Sequence, residues 1–221
     1  MEQNEFSPTR IHCAAKVVVR GLVSLLVRLK VEPNYITSFG VLCALAAGVF
    51  LSDGRWLGAL VCIALGGLLD IIDGEVARRM ALRSQHMQNF GQFLDPASDR
   101  LSDIFLLLGL IAYVHPRYAT EFVVLIAGTL AAHLTSSWLR AKVESLGSRF
   151  HKKKPLTRAT LLTALITICF TMLVIPDDLR HFYFFWLILL LICLPKIGTF
   201  IAWFLRAYFI IVKGKHIGRF S

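Results

Sequence analysis

The sequence predicts an all-α, polytopic membrane protein: six transmembrane helices preceded by an N-terminal amphipathic interfacial helix. Three observations carry that prediction. The chain of 221 residues is 56% hydrophobic, with a mean hydropathy of +0.65, and its apolar runs reach about 20 residues, the length that crosses a hydrocarbon core. Its basic residues alternate in density from one connecting segment to the next. Four aspartates, Asp70, Asp73, Asp95 and Asp99, stand beside those apolar runs, where isolated carboxylates are costly.

Residues 1–32 read as a juxtamembrane segment and 33–221 as one transmembrane domain. Within the first, residues 7–30 carry Arg10, Lys16, Arg20, Arg28 and Lys30 among Ile, Val and Leu. So many charges preclude a span and suit a helix lying on the membrane surface. The same basic residues interrupt the apolar stretch too often for a cleavable signal peptide. Pro33 suits a helix start, and spans follow at 34–52, 56–79, 91–114, 119–141, 157–175 and 182–201. The last apolar segment outruns one simple span, so a kink is expected at Pro195 and Gly198, with the residues beyond turning along the interface. Cys13, Cys43, Cys62, Cys169 and Cys193 are scattered through apolar sequence without paired spacing and read as packing residues.

Basic residues set the orientation. Nineteen Lys and Arg fall on the side of the termini and the aspartates, against Arg55, Arg117 and Arg180 on the other. Both termini and the aspartate site are therefore expected to face the cytoplasm from a multi-pass position in the cell (inner or plasma) membrane. The net charge of +10 follows from this pattern and suits anionic membrane lipids, as does the run Lys152-Lys153-Lys154; nucleic acid is not an expected partner.

The stretch from Asp70 to Asp103 organises the rest. At roughly 2.5–3.5 kcal/mol per Asp near a membrane helix centre, four lipid-facing carboxylates would cost on the order of 10 kcal/mol. At about 100° per residue, Asp70, Asp73 and Ala77 fall within roughly 60° on one helix face, flanked by Gly74 and Arg78. Gly91, Asp95 and Asp99 stand at i, i+4, i+8 and form a second stripe on the next helix. A polar loop from Arg79 to Asn89 would bring the two carboxylate pairs together. Like charges that close repel unless a divalent cation sits among them, and hard oxygen ligands without His or Cys favour Mg²⁺, Mn²⁺ or Ca²⁺. Gly74 and Ala77 leave room for a ligand to reach the metal, and Arg78 adds a fixed charge suited to phosphate. Together these features describe a diphosphate site. Pairing with Arg78, Arg79 and Arg100 is the plainer alternative for any single Asp.

The pattern Asp70-x2-Asp73-Gly74-x2-Ala77-Arg78, then Gly91-x3-Asp95-x3-Asp99, resembles the signature of the CDP-alcohol phosphatidyltransferase family, D-x2-D-G-x2-A-R-(x8)-G-x3-D-x3-D. All eight fixed positions are present, with twelve residues rather than eight between Arg78 and Gly91. The resemblance implies a metal-dependent transferase using two Mg²⁺ or Mn²⁺ ions held by Asp70, Asp73, Asp95 and Asp99. Asp99 would be a ligand or the catalytic base that takes the acceptor hydroxyl proton. CDP and its diphosphate would lie against Asp70, Gly74, Ala77 and Arg78, with Asn34 and Thr37 of the Pro-Asn-x-x-Thr element nearby; a helix cap explains the last two equally well. A homodimer is implied as well.

The reaction implied is phosphatidyl transfer from CDP-diacylglycerol to a small polar alcohol, with release of CMP. Arg140, Lys142, Arg158 and Lys196 read either as an anion pocket for a phosphorylated acceptor or as positive-inside anchors and a snorkelling lysine. Taken with Asp99-Arg100-Leu101-Ser102-Asp103, they are similar to the family branch that uses inositol 1-phosphate, although Lys196 stands where that branch favours arginine. Glycerol 3-phosphate or serine as acceptor, head-group transfer from a CDP-alcohol to diacylglycerol, and a divalent cation transporter are the alternatives.

Overall fold

The computed structural model describes residues 21–80, 85–145, 158–176, 179, 183–184 and 186–213, with the side chains of 85–92, 140, 143–145, 158–159, 206 and 209–213 outside that description. All regular structure among the described residues is helical. In chain order the helices are α1 (21–28), α2 (Pro33–Ser52), α3 (Trp56–Met80), α4 (Gln85–Val114), α5 (Thr120–Ser145), α6 (Arg158–Val174) and α7 (Leu194–Lys213), the last preceded by a π-helical turn at Ile188–Cys193.

Local chemistry sets several of these bounds. Pro33 occupies the first turn of α2, where its missing N–H costs nothing. Gly54 takes φ +72° in the short connection between α2 and α3, a conformation that disfavours any side chain. Two boundaries differ from the sequence expectation. Helix α4 begins at Gln85 rather than 91, so part of the polar segment expected as loop extends the helix, and only residues 81–84 separate it from α3. The irregularity expected at Pro195 and Gly198 lies upstream, where Leu194 N–H donates to Leu189 O in an i→i−5 bond. Pro195 has no N–H to give the preceding turn, and the helix widens there and then continues to Lys213. Of the expected surface helix over 7–30, residues 7–20 lie outside the described residues, as do Lys152-Lys153-Lys154. In the part that is described, Val23 of α1 is buried with Ile36, Ile72 and Val76.

Among the described residues, four helices are long and apolar enough to cross a membrane: Pro33–Ser52, Trp56–Met80, Thr120–Leu139 and Ile188–Leu205. Thr160–Val174 is apolar but shorter. Helix α2 packs against both α3 and α4; α3 packs on α6, α5 on α7, and α4 on α5. Small residues make the α2–α4 contact close, since a Cβ on Gly48 would stand 2.5 Å from the Phe105 carbonyl oxygen and one on Gly109 would strike the Gly48 backbone. The main core, including Ala47, Leu51, Leu107, Leu110, Leu165 and Ile168, fills the bundle beyond that contact. At the Trp56 end of α3, Tyr113 meets Trp56 and Phe184 edge to face, Phe184 lies tilted against Trp56 and Tyr118, and Arg117 caps Tyr113 at 4.3 Å. Asp70 lies fourteen residues along α3 from Trp56, about 21 Å away. Packing is thus concentrated at one end and carboxylates at the other.

Gly48→Val is expected to destabilise the protein by about 1–3 kcal/mol through overpacking, read as thermal unfolding in detergent. Gly74→Ala, whose Cβ would meet nothing within 4 Å, should leave the transition in place. An unmoved transition in Gly48→Val would contradict the close approach of α2 and α4.

Candidate metal centre

Helices α3 and α4 present their acidic faces across a gap that α2 spans. Asp70 and Asp73 project from one turn of α3, Asp95 and Asp99 from one turn of α4. Carboxylate oxygens of Asp70, Asp95 and Asp99 all lie within 4.8 Å of one another. Asp70 and Asp99 are half-buried and Asp95 is exposed. Pro96 lies within α4, next to Asp95, and its missing N–H leaves the Gln92 carbonyl without its usual helical donor beside the cluster. Three carboxylates at this separation form a hard, anionic donor set that fits a divalent cation of the Mg²⁺, Mn²⁺ or Ca²⁺ kind.

Asp73 stands apart from that trio. It is buried at 6% exposure, and Oδ2 accepts a 2.7 Å hydrogen bond from Thr37 Oγ1 on α2. The bond fixes the register of α2 against α3 and holds the Asp73 carboxylate toward the same cleft. That cleft is lined by Thr37, Gly40, Val41, Gly66, Asp70, Asp73, Ser98 and Ser102. Thr37 is thereby brought into the site. Asn34, one turn earlier, accepts from Ser38 Oγ at its backbone carbonyl and is not among the lining residues.

Around Gly74 there is open space, as its empty Cβ environment shows, and Ala77 is exposed. Arg78 points to solvent with a side chain 72% exposed, paired with Glu75 at 2.7 Å. Glu75 also takes Arg79 at 3.3 Å, and Arg79 Nη1 donates to Ser24 Oγ of α1 at 3.0 Å. Exposed pairs of this kind are weak, because water and salt screen them and holding two long side chains costs entropy. The Glu75 contact is therefore too weak to keep Arg78 from an anionic ligand.

The residues considered for a phosphorylated acceptor are spread over three helices. Lys142 is exposed near the end of α5. Arg140 lies on α5, Arg158 opens α6 and Gly91 lies on α4, but their side-chain positions are outside the described residues. Lys196 of α7 is 3% exposed, and its Nζ lies 3.2 Å from His133 Nδ1 on α5. His133 Nε2 lies 2.7 Å from Asp103 Oδ2 on α4. Sequence reasoning missed His133 and Ser98. Ser98 and Ser102 stand at i+3 from Asp95 and Asp99, a spacing that places them beside the acids and could have found them. His133 is a lone titratable residue in a largely apolar run and gives no such signal.

Comparison with known proteins places this geometry. The profile of the CDP-alcohol phosphatidyltransferase family matches residues 30–208. The chain belongs to the CDP-alcohol phosphatidyltransferase family. Among relatives in this family, the archaetidylinositol phosphate synthase of Methanothermobacter thermautotrophicus is 34% identical over 146 residues, 65% of this chain and 65% of that protein. The chain thus matches just under two thirds of that relative's length. The phosphatidylinositol phosphate synthase of Corynebacterium glutamicum is 33% identical over 60% of each chain. In fold, the chain is similar to the crystal structure of Mycobacterium tuberculosis phosphatidylinositol phosphate synthase with CDP-DAG bound, at TM-score 0.72 and 20% identity, covering 92% of this chain and 98% of that one. The same mycobacterial enzyme in complex with manganese and citrate gives TM-score 0.72 at 19% identity, covering 92% and 93%. Family membership and the apolar helices together make this an integral membrane protein.

Replacing Asp70, Asp95 or Asp99 singly by Asn should weaken Mn²⁺ binding by about tenfold or more, measured from the free-ion signal in electron paramagnetic resonance. Equal affinity in all three variants and the wild type would place the ion elsewhere.

Proposed function

We propose that the protein transfers a phosphatidyl group from CDP-diacylglycerol to inositol 1-phosphate, releasing CMP. The observation that carries the reading is the convergence of Asp70, Asp95 and Asp99 from two helices to within 4.8 Å of one another, in a chain of this family. The acceptor is supported by relatives named as inositol phosphate lipid synthases and by a lysine, Lys196, buried among the helices. Glycerol 3-phosphate and serine are small polar alcohols that the same carboxylates could serve.

In this reading Asp70, Asp73, Asp95 and Asp99 hold two Mg²⁺ or Mn²⁺ ions. Bound there, the cations supply the positive charge that neutralises the diphosphate and stabilises CMP as it leaves. Thr37 orients Asp73, and Gly74 and Ala77 leave the face open so that the diphosphate reaches the carboxylates. Arg78 exchanges Glu75 for a phosphate oxygen. An Asp99 carboxylate oxygen accepts the proton of the acceptor hydroxyl as that oxygen forms its bond to the phosphatidyl phosphorus and the bond to CMP breaks. Arg140, Lys142, Arg158 and Lys196 bind the acceptor phosphate and set its hydroxyl in line.

The wider arrangement follows the same reading. Residues 33–221 form a six-span domain, with 157–175 and the aspartate-bearing α4 completing the four longer apolar spans. Residues 1–32 lie on the surface of the cell membrane, and both termini and the site face the cytoplasm, as the basic residues direct. The protein works as a homodimer.

The reading is tested by CMP release from CDP-diacylglycerol by purified protein with Mg²⁺ or Mn²⁺, offered inositol 1-phosphate, glycerol 3-phosphate, serine or inositol. Release should depend on inositol 1-phosphate and fall by about 10²–10⁴-fold in Asp99→Asn. Release with another acceptor alone would reassign the substrate, and none with any acceptor would reject the transfer.

A further inference from the structure

The deepest charges in the described structure lie outside the aspartate trio, where α4, α5 and α7 meet. Asp103 is 2% exposed and Lys196 3%, with His133 bridging them at 2.7 and 3.2 Å. With Lys196 charged, its ammonium donates and cannot accept, so His133 Nδ1 accepts from Lys196. Its ring proton is thereby assigned to Nε2, which donates to Asp103 Oδ2. The chain carboxylate–imidazole–ammonium is neutral as a whole, which is what allows a charge to remain so far from water.

Both ends keep unused hydrogen-bonding capacity. One of the three Lys196 hydrogens is taken by His133, and the other two have no partner among the described residues. Asp103 Oδ1 is buried and has none either. Unsatisfied groups at such depth are expensive. A phosphorylated polyol carries oxygens for the first and hydroxyls for the second. The location agrees. Asp103 continues the Asp95–Asp99 stripe, one turn or about 6 Å along α4 from Asp99. Its neighbour Ser102 lines the aspartate cleft, fully buried, with an Oγ that has no partner.

We propose that Asp103 and His133 are positioning residues of the acceptor site, holding Lys196 charged and aimed so that its remaining N–H groups take the anionic group of the acceptor. Lysine is a compact point charge on a flexible stem and takes its aim from its neighbours; here a fixed imidazole supplies it. The proposal rests on the reading of the protein as a transferase with a phosphorylated acceptor.

The test is steady-state CMP release with inositol 1-phosphate varied, for the wild type, Asp103→Asn, His133→Leu and His133→Gln, with calorimetric binding of inositol 1-phosphate to Mn²⁺-loaded protein alongside. Asp103→Asn removes the counter-charge and keeps the shape; His133→Leu removes the bridge. Each should raise KM for inositol 1-phosphate by about tenfold, as expected for losing support to one charged hydrogen bond, while KM for CDP-diacylglycerol stays unchanged. His133→Gln retains one donor and one acceptor and should keep most of the acceptor affinity. If Asp103→Asn fails to fold, the Leu and Gln variants decide by the same split. An active wild type with unchanged KM in the variants, or with both KM values rising together, overturns the relay alone. A wild type that neither binds nor uses inositol 1-phosphate overturns the acceptor reading and the relay with it.

Discussion

Mutual repulsion among carboxylates is the constraint on which the rest of the structure depends. Three of them converge within 4.8 Å, and at an effective dielectric of 20 each pair repels by about 3 kcal/mol. A divalent cation among the three carboxylates would offset that cost. Several features serve the convergence. Gly48 and Gly109 let α2 and α4 approach closely, Thr37 ties α2 to Asp73, and the aromatic packing near Trp56 anchors the far end of α3 and α4. With both ends fixed, the acidic faces are held facing each other instead of spreading apart.

Helical periodicity made much of this legible. Asp70 with Asp73 and Asp95 with Asp99 share faces for any α-helix, so the pairing of the two stripes could be read from spacing. Pro33 marked the start of α2 for the same local reason. What depends on how one helix lies against another was not legible. The Thr37–Asp73 bond spans 36 positions, and nothing in the sequence near Thr37 distinguishes it from a cap. His133 sits in an apolar run, and only the packing of α5 between α4 and α7 gives it two charged partners. The Glu75–Arg78 pair was visible at i, i+3, yet the aspartate pattern drew the reading of Arg78 toward phosphate. The position of the π-turn shows the same limit, because a missing proline N–H is absorbed in the turn before it.

The proposed site divides into an open half and a closed half. Asp95, Ala77 and Arg78 are exposed and Asp70 and Asp99 half-buried, which suits the arrival of a charged, bulky nucleotide lipid. Asp103 and Lys196 are nearly sealed, which suits a small polar molecule whose charge must be matched group by group. Burial raises the strength of each contact and the penalty for a wrong partner, so in the proposed reading discrimination among acceptors belongs to the closed half. The open half supplies the chemistry common to the family.

The central claim is that the aspartate cluster is a cation site, and anomalous diffraction from Mn²⁺-containing crystals tests it most directly. Peaks bounded by Asp70, Asp95 and Asp99, with Asp73 alongside, are the predicted result. A fully occupied Mn²⁺ peak away from these carboxylates, or none at them at saturating Mn²⁺, would contradict the account.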